Sequence, residues 1–207
     1  MSRRSARLLV ATTNVGKLRE IHALLDDLDL EVLTLADFPA LTPPEETGRT
    51  FAENARQKAR YYAAATGLPT VAEDSGLEVD VLRGEPGIHS ARFGGADATY
   101  PEKFRLIYDG LRARGASTSP ARFVCAVALA DGDSFPIETR GTIEGTIAPV
   151  PSGAHGFGYD PIFFYPPYGR TLAEVSAAEK AAVSHRGQAF RALRRELDRW
   201  LADRTMR

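Results

Sequence analysis

Leu8-Leu9-Val10-Ala11-Thr12, running into Thr13-Asn14-Val15-Gly16-Lys17, is the stretch on which the fold turns. The first five residues predict a short buried strand, and the apolar spacing from Leu18 to Leu28 predicts a helix. Strand, polar loop and helix in that order open an α/β fold. The junction also carries chemistry, because a helix start offers amide N–H groups and the positive end of a dipole, and Lys17 adds a full charge. It is not a Walker loop: Gly16-Lys17 is followed by Leu18, and both the upstream glycine and the magnesium-binding hydroxyl are missing. By itself the motif reads either as a phosphate cradle or as a helix start with a solvated lysine.

Downstream, a second strand is expected around Val32 to Leu35, then a loop from Pro39 to Gly48 carrying Glu45-Glu46. Thr50-x-x-Glu53 has the form of a capping box and predicts a helix from Thr50 to about Ala65. Thr70-Val71-Ala72 reads as a strand ending in Glu73-Asp74-Ser75-Gly76, with Leu77, Val79 and Val81 alternating as the next strand. A loop from Glu85 to Gly95, a helix over Pro101 to Arg114 and an antiparallel strand pair, Arg122 to Ala130 and Ile137 to Ala148, follow. After a loop from Gly153 to Tyr159, a strand is expected over Asp160 to Phe164 and a short helix capped by Thr171-x-x-Glu174. Phe190, Leu193, Leu197, Trp200 and Leu201 form one stripe of a last amphipathic helix.

The 207 residues suit a single domain spanning 1–207, without internal repeats. With 26 basic and 27 acidic side chains the net charge is −1, so no overall field gathers a nucleic acid, and any phosphate site is local. Arg191, Arg194, Arg195 and Arg199 alternate with Glu196 and Asp198, the pattern of a solvated helix face. The one cysteine, Cys125, lies in an apolar run and reads as a buried structural thiol. No stretch has the length to cross a bilayer, and Met1-Ser2-Arg3-Arg4 leads into the first strand without a signal-peptide apolar region, so a cytoplasmic location is expected.

Lys58 stands out among the charged residues. At 100° per residue it shares the apolar stripe of Phe51, Ala55 and Tyr62. An ammonium on an inward stripe must meet a protein carboxylate or a ligand phosphate, or snorkel outward. Glu45-Glu46 and Glu73-Asp74 supply four carboxylates, which are either solvated or gathered around a hard, oxygen-seeking cation. His155 and His185 lie too far apart in a chain without other grouped ligands to suggest zinc. Phe157, between Gly156 and Gly158, is either a stacking platform for an aromatic ligand or a core anchor.

These segments together resemble the inosine triphosphate pyrophosphatase family over nearly the whole chain. The resemblance rests on Thr12-Thr13-Asn14-Val15-Gly16-Lys17, Glu53-Asn54-Ala55, Glu73-Asp74-Ser75-Gly76-Leu77, Pro86-Gly87-Ile88-His89-Ser90-Ala91-Arg92, Gly156-Phe157-Gly158-Tyr159-Asp160-Pro161, Glu179-Lys180 and Ser184-His185-Arg186-Gly187, in the family's order. It implies an α/β fold with an elongated mixed sheet flanked by helices, two lobes with a nucleotide cleft between them, and a homodimer. The implied activity is hydrolysis of non-standard purine nucleoside triphosphates (ITP, dITP, XTP) to the monophosphate and pyrophosphate, with Mg2+ as cofactor. Implied roles are Asn14, Lys17 and Lys58 on the triphosphate, Thr12, Thr13, Val15 and Gly16 in binding the substrate, Glu46, Glu73 and Asp74 near magnesium, Asp74 as proton acceptor for water, and Ser75 on the nucleotide. Phe157, with Gly158 and Tyr159 beside it, is implied in base stacking, and Asp160, Lys180, His185 and Arg186 in lining or reading the purine edge. Two positions depart from the commoner pattern: Thr13 replaces a glycine, and Glu73 replaces the first aspartate of an Asp-Asp pair. Which carboxylate of each acidic pair touches the metal stays open.

The implied chemistry is attack of water on the α-phosphorus, with Lys17, Lys58 and the metal stabilising charge on the leaving pyrophosphate. A 6-keto purine shows an acceptor where adenine shows a donor, and Arg186 can only donate. Two other classes fit parts of the pattern: a pyrophosphatase for modified pyrimidine or methylated nucleotides, and a nucleotide sensor without chemistry.

Overall fold

The computed structural model describes residues 6–205, so Met1 to Arg4, read above for a signal peptide, lie outside the described residues. Seven strands form one sheet in the order β2-β1-β3-β4-β5-β6-β7: β1 Ala6–Val10, β2 Leu30–Thr34, β3 Thr70–Val79, β4 Pro120–Asp131, β5 Ser134–Ile147, β6 Phe163–Tyr165 and β7 Arg170–Thr171. The helices are α1 Val15–Leu25, α2 Phe51–Thr66, α3 Tyr100–Arg112, α4 Ala177–Val183 and α5 His185–Thr205. β1 runs parallel to β2 and β3, whereas β5, β6 and β7 pair antiparallel, so the sheet is mixed as expected. The two-residue turn Gly132-Asp133 joins β4 to β5, a connection short enough only for antiparallel neighbours. Among the described residues no helix is long and apolar enough to cross a membrane.

Contacts divide the chain into two compact units. Unit 1 holds residues 1–74, 125–141 and 186–207, and unit 2 holds 75–124 and 142–185. In unit 1, Leu8, Val10, Val71, Cys125, Val127 and Leu129 bury one sheet face against Ile21 and Leu25 of α1 and Phe190, Leu193 and Leu197 of α5. Strand alternation turns Ala72, Ala126 and Ala128 to the opposite face. In unit 2, Leu77, Val79, Phe123, Ile143 and Phe163 pack with Ile107 and Leu111 of α3.

Helix starts follow their capping side chains. Asn14 accepts from the Lys17 amide at the head of α1, and Thr50 accepts from the Glu53 amide at the head of α2. The return bond of Glu53 goes to the Arg49 amide, one residue before the cap. Gly67, in the left-handed region at φ 68, ends α2.

Three expectations need correction. Thr70–Val79 is one strand and not two, so Glu73-Asp74 sits in its middle; eight of its ten residues are buried, which holds the polar Glu-Asp-Ser-Gly run in register. Asp160–Ile162 is a 3-10 turn and β6 begins only at Phe163. Thr171-x-x-Glu174 makes its local bond, from the Thr171 amide to Glu174, but starts no helix: the Ala173 carbonyl, which a helix would bond to the amide four residues on, accepts from the His155 amide. The helix starts at the next such pattern, the capping box Ser176-x-x-Glu179.

Candidate active site

In unit 1 the residues singled out from the sequence fall around the middle of β3. Successive strand side chains point to opposite faces, so Glu73 and Asp74, adjacent in sequence, serve different neighbourhoods. Asp74 faces α2: its Oδ1 accepts from Lys58 Nζ at 3.0 Å and its Oδ2 from Asn54 Nδ2 at 3.1 Å. Lys58 Nζ also donates to Glu46 Oε1 at 2.5 Å. The lysine on the inward stripe of α2 therefore meets two carboxylates at once.

Glu46 is delivered by a loop that α2 holds in place. Asn54 accepts from the Gly48 amide at 2.8 Å, and Gln57 accepts from the Thr47 amide at 3.1 Å while donating to the Glu45 carbonyl at 2.8 Å. A side chain on Gly48 would fall 2.5 Å from the Asn54 carboxamide oxygen, so this close approach needs glycine. Of the two loop carboxylates, Glu46 is the one brought to Lys58.

Burial lifts the Asp74 carboxyl above its usual range despite the lowering pull of Lys58. Burial draws Lys58 down, but Asp74 and Glu46 together hold its ammonium above the ordinary lysine value. The result is a charged, desolvated triad in which Asp74 accepts a proton more readily than a surface aspartate.

On the other face, Glu73 is almost wholly buried. Its Oε1 meets Lys17 Nζ at 2.9 Å and Arg186 Nη2 at 3.2 Å, and its Oε2 accepts from Cys125 Sγ at 3.2 Å. Arg186 Nη1 donates to Glu20 Oε2 at 2.6 Å. Burial would raise the Glu73 carboxyl, but Arg186 and Lys17 hold it well below the carboxylate range. Burial, and then the Glu73 charge, push the Cys125 thiol well up, so it stays protonated and acts as a donor.

The loop before α1 completes this group. Thr12 Oγ1 accepts from the Asn14 amide at 3.2 Å, and Asn14 Oδ1 from the Lys17 amide at 3.0 Å. Of the first-turn N–H groups, those of Val15 and Gly16 are left for an anion; Thr13 and Val15 are exposed beside them.

In unit 2, Gly156 and Gly158 take φ 71 and 69, and the tight loop they make turns the Phe157 amide onto Asp160 Oδ2 at 2.8 Å. Lys180 pairs with the same Asp160 oxygen, and its Nζ lies 4.6 Å from the Phe157 ring centre. Phe157, Asp160 and Lys180 are thus one cluster, with the ammonium over one ring face. Tyr159 donates to the Ser90 carbonyl at 2.9 Å, and Gly158 packs near Tyr100. His185 is buried, its ring stacked 4.8 Å from Phe123. Ser75, half-buried, opens the unit 2 part of β3.

Among the described residues no three His, Cys, Asp or Glu side chains form a ready metal cluster. Glu46 and Asp74 nevertheless bring carboxylate oxygens together around Lys58 Nζ, and oxygens of this kind are the donors that would hold a hard divalent cation. Sequence reasoning gave no role to Asn54, Gln57 or Glu20. Asn54 was within reach of it, lying four residues before Lys58 on the same helical face.

The Ham1 family model matches residues 8–196. A protein named dITP/XTP pyrophosphatase from an Exiguobacterium species is 47% identical over 191 residues, 92% of this chain and 96% of its own. Proteins of the same name from Thermus thermophilus and Escherichia coli are 48% and 44% identical over 190 and 189 residues, covering 92% and 90% of this chain and 91% and 95% of theirs. The chain is also similar to the solved structure of a HAM1 protein from Coxiella burnetii, with TM-score 0.87 and 41% identity over 94% of this chain and 99% of that one. For the Staphylococcus aureus Ham1 protein the values are 0.82, 35%, 93% and 98%.

Proposed function

We infer the reaction from one premise: the chain belongs to the Ham1 family. It is a nucleoside triphosphate pyrophosphatase that hydrolyses non-standard purine nucleotides, dITP and XTP by the names of its relatives and ITP with them, to the monophosphate and pyrophosphate. The observation that carries the mechanism is the buried group in which Lys58 faces both Asp74 and Glu46.

In this reading the triphosphate is held by the Val15 and Gly16 amides at the head of α1, beside the loop Thr12-Thr13-Asn14, and by Lys17 and Lys58. Asp74, with its raised carboxyl, takes a proton from the water that attacks the α-phosphorus, and the two lysines stabilise charge on the departing pyrophosphate. Glu46 and Asp74 would hold magnesium, which supplies neutralisation of phosphate charge. Ser75 meets the nucleotide, Phe157 stacks on the base through the face away from Lys180, with Gly158 and Tyr159 shaping its loop, and Asp160 and His185 line the base edge.

Selection for a 6-keto group rests on donors, Lys180 and Arg186, because a 6-amino group would set donor against donor. Each such mismatch leaves a buried polar group unpaired at about 1–3 kcal/mol, roughly tenfold to a hundredfold in rate. Glu20 and Glu73 each accept from one Nη atom of Arg186, and because a guanidinium carries five N–H donors, donation to a base does not require it to give up either carboxylate.

Initial rates for ITP, XTP, dITP, ATP and GTP with magnesium, reading pyrophosphate and orthophosphate separately, test the reading. Preference for the 6-keto non-standard purines with pyrophosphate as product is expected; orthophosphate as the primary product overturns attack at the α-phosphorus. The same reading carries a homodimer, which light scattering would register at twice the 22.5 kDa chain mass. It also carries a cytoplasmic location, beside the nucleotide pool, which cell fractionation would check.

A further inference from the structure

We propose that Glu73 is a positioning residue and not a metal ligand: a single buried carboxylate that fixes both Lys17, the cation of the phosphate loop, and Arg186, the donor for the base. The proposal rests on the reaction inferred above and assigns Glu73 a place in it.

Four observations carry it. Both Glu73 oxygens are already engaged, Oε1 by Lys17 and Arg186 and Oε2 by the Cys125 thiol. Its side chain and that of Arg186 are 1% and 2% exposed, so exchanging these donors for a hydrated magnesium ion would cost a buried guanidinium its buried carboxylate partner. Strand alternation turns Glu73 away from Asp74, the residue that shares Lys58 with Glu46. The partners come from four elements, Lys17 from α1, Glu73 from β3, Cys125 from β4 and Arg186 from α5, so one carboxylate sets the relative placement of two functional cations inside unit 1.

Glu20 cannot take over this task. It pairs with Arg186 through a side chain that is 23% exposed, where solvent weakens the attraction. Glu73 touches both cations, so a change at Glu73 must be felt by the phosphate end and the base end together, and by neither through the metal.

The test is steady-state kinetics of Glu73→Gln, which keeps the shape and one acceptor but removes the charge, with ITP and ATP over a magnesium titration. Expected are a KM for ITP raised and an ITP-over-ATP preference lowered, each about tenfold, the scale of one lost charged hydrogen bond, with the magnesium requirement unchanged. Glu73→Asp, shorter by one methylene but still charged, should recover part of the preference. A magnesium requirement raised with the preference intact makes Glu73 a metal ligand and overturns the proposal. A lowered melting temperature with KM, kcat and preference all unchanged also overturns it, leaving a purely structural carboxylate.

A second arm needs no substrate: urea unfolding of Lys17→Met, Glu73→Gln and the double variant. The loss from Lys17→Met should shrink once Glu73 is neutral, and strict additivity overturns the proposal. If the wild-type protein fails to hydrolyse ITP while this coupling is found, the reaction reading falls and the anchoring by Glu73 stands. Should E73Q not fold, the kinetic arm is read on E73D, whose shorter carboxylate should change KM and preference in the same directions by less; an E73D protein with both unchanged overturns the proposal.

Discussion

The ammonium of Lys58 keeps its charge in a desolvated place because two carboxylates face it, and Asp74 keeps a raised carboxyl because burial outweighs that one lysine. Replacing Asp74 by Asn preserves the acceptor oxygen and removes the base, so nucleotide binding should persist while kcat falls about a hundredfold or more, read by single-turnover pyrophosphate release. Near-normal kcat would remove Asp74 from the base role. Glu73 behaves oppositely in acid. Its folded carboxyl is held below the ordinary value of 4.5, so its stabilisation is complete above that pH and is lost as the pH falls further. Acid unfolding of Glu73→Gln should therefore have a shallower dependence on pH below about 4.5 than the wild type, checked by circular dichroism. Lys58 was legible from the sequence because helical spacing placed it on an apolar stripe. The choice of Glu46 over Glu45 was not, since it depends on how Asn54 and Gln57 grip the loop. Nor were the partners of Arg186, which lie 166 and 113 residues away along the chain.

At the level of elements, β3 is where pattern reading broke down, because Glu73-Asp74-Ser75 looks like the end of a strand and is its centre. Burial by neighbours on both faces, and not local propensity, keeps the strand going. Capping patterns were legible as bonds and illegible as helix starts: Thr171 with Glu174 and Ser176 with Glu179 make the same amide-to-carboxylate bond, but after the first the Ala173 carbonyl is taken by the His155 amide, and only the second is followed by a helix. Alternation makes β3 sensitive to length as well as composition, since a one-residue slip would exchange the neighbourhoods of Glu73 and Asp74. The loop of Phe157 is tighter still. A methyl group on Gly156 would fall 2.1 Å from Asp160 Oδ2 at a φ of 71, so Gly156→Ala should displace the Asp160–Lys180 pair. We expect a stability loss of about 1–3 kcal/mol together with weakened base discrimination, measured by urea unfolding and by ITP-over-ATP rates. A Gly156→Ala protein with wild-type selectivity would detach this loop from base reading.

For the molecule as a whole, two apolar cores share the stabilisation, one in each unit, and three strands, β3, β4 and β5, pass through both. Leu193→Ala in unit 1 and Ile107→Ala in unit 2 should each cost about 2–5 kcal/mol. Both should lower one common calorimetric transition; two separated transitions would show that the units unfold independently. The mixed α/β class was legible from the order of strand-like and helix-like segments, whereas the division into units was not, because it depends on contacts between segments far apart in sequence. That division has a consequence for descent and for engineering alike. Unit 1 is assembled from three stretches of chain and unit 2 from two, meeting at four junctions, 74/75, 124/125, 141/142 and 185/186. No single cut in the gene releases either unit intact, so neither half travels by a simple fusion or truncation. Chimaeras that trade one unit for a relative's need all four crossovers at once.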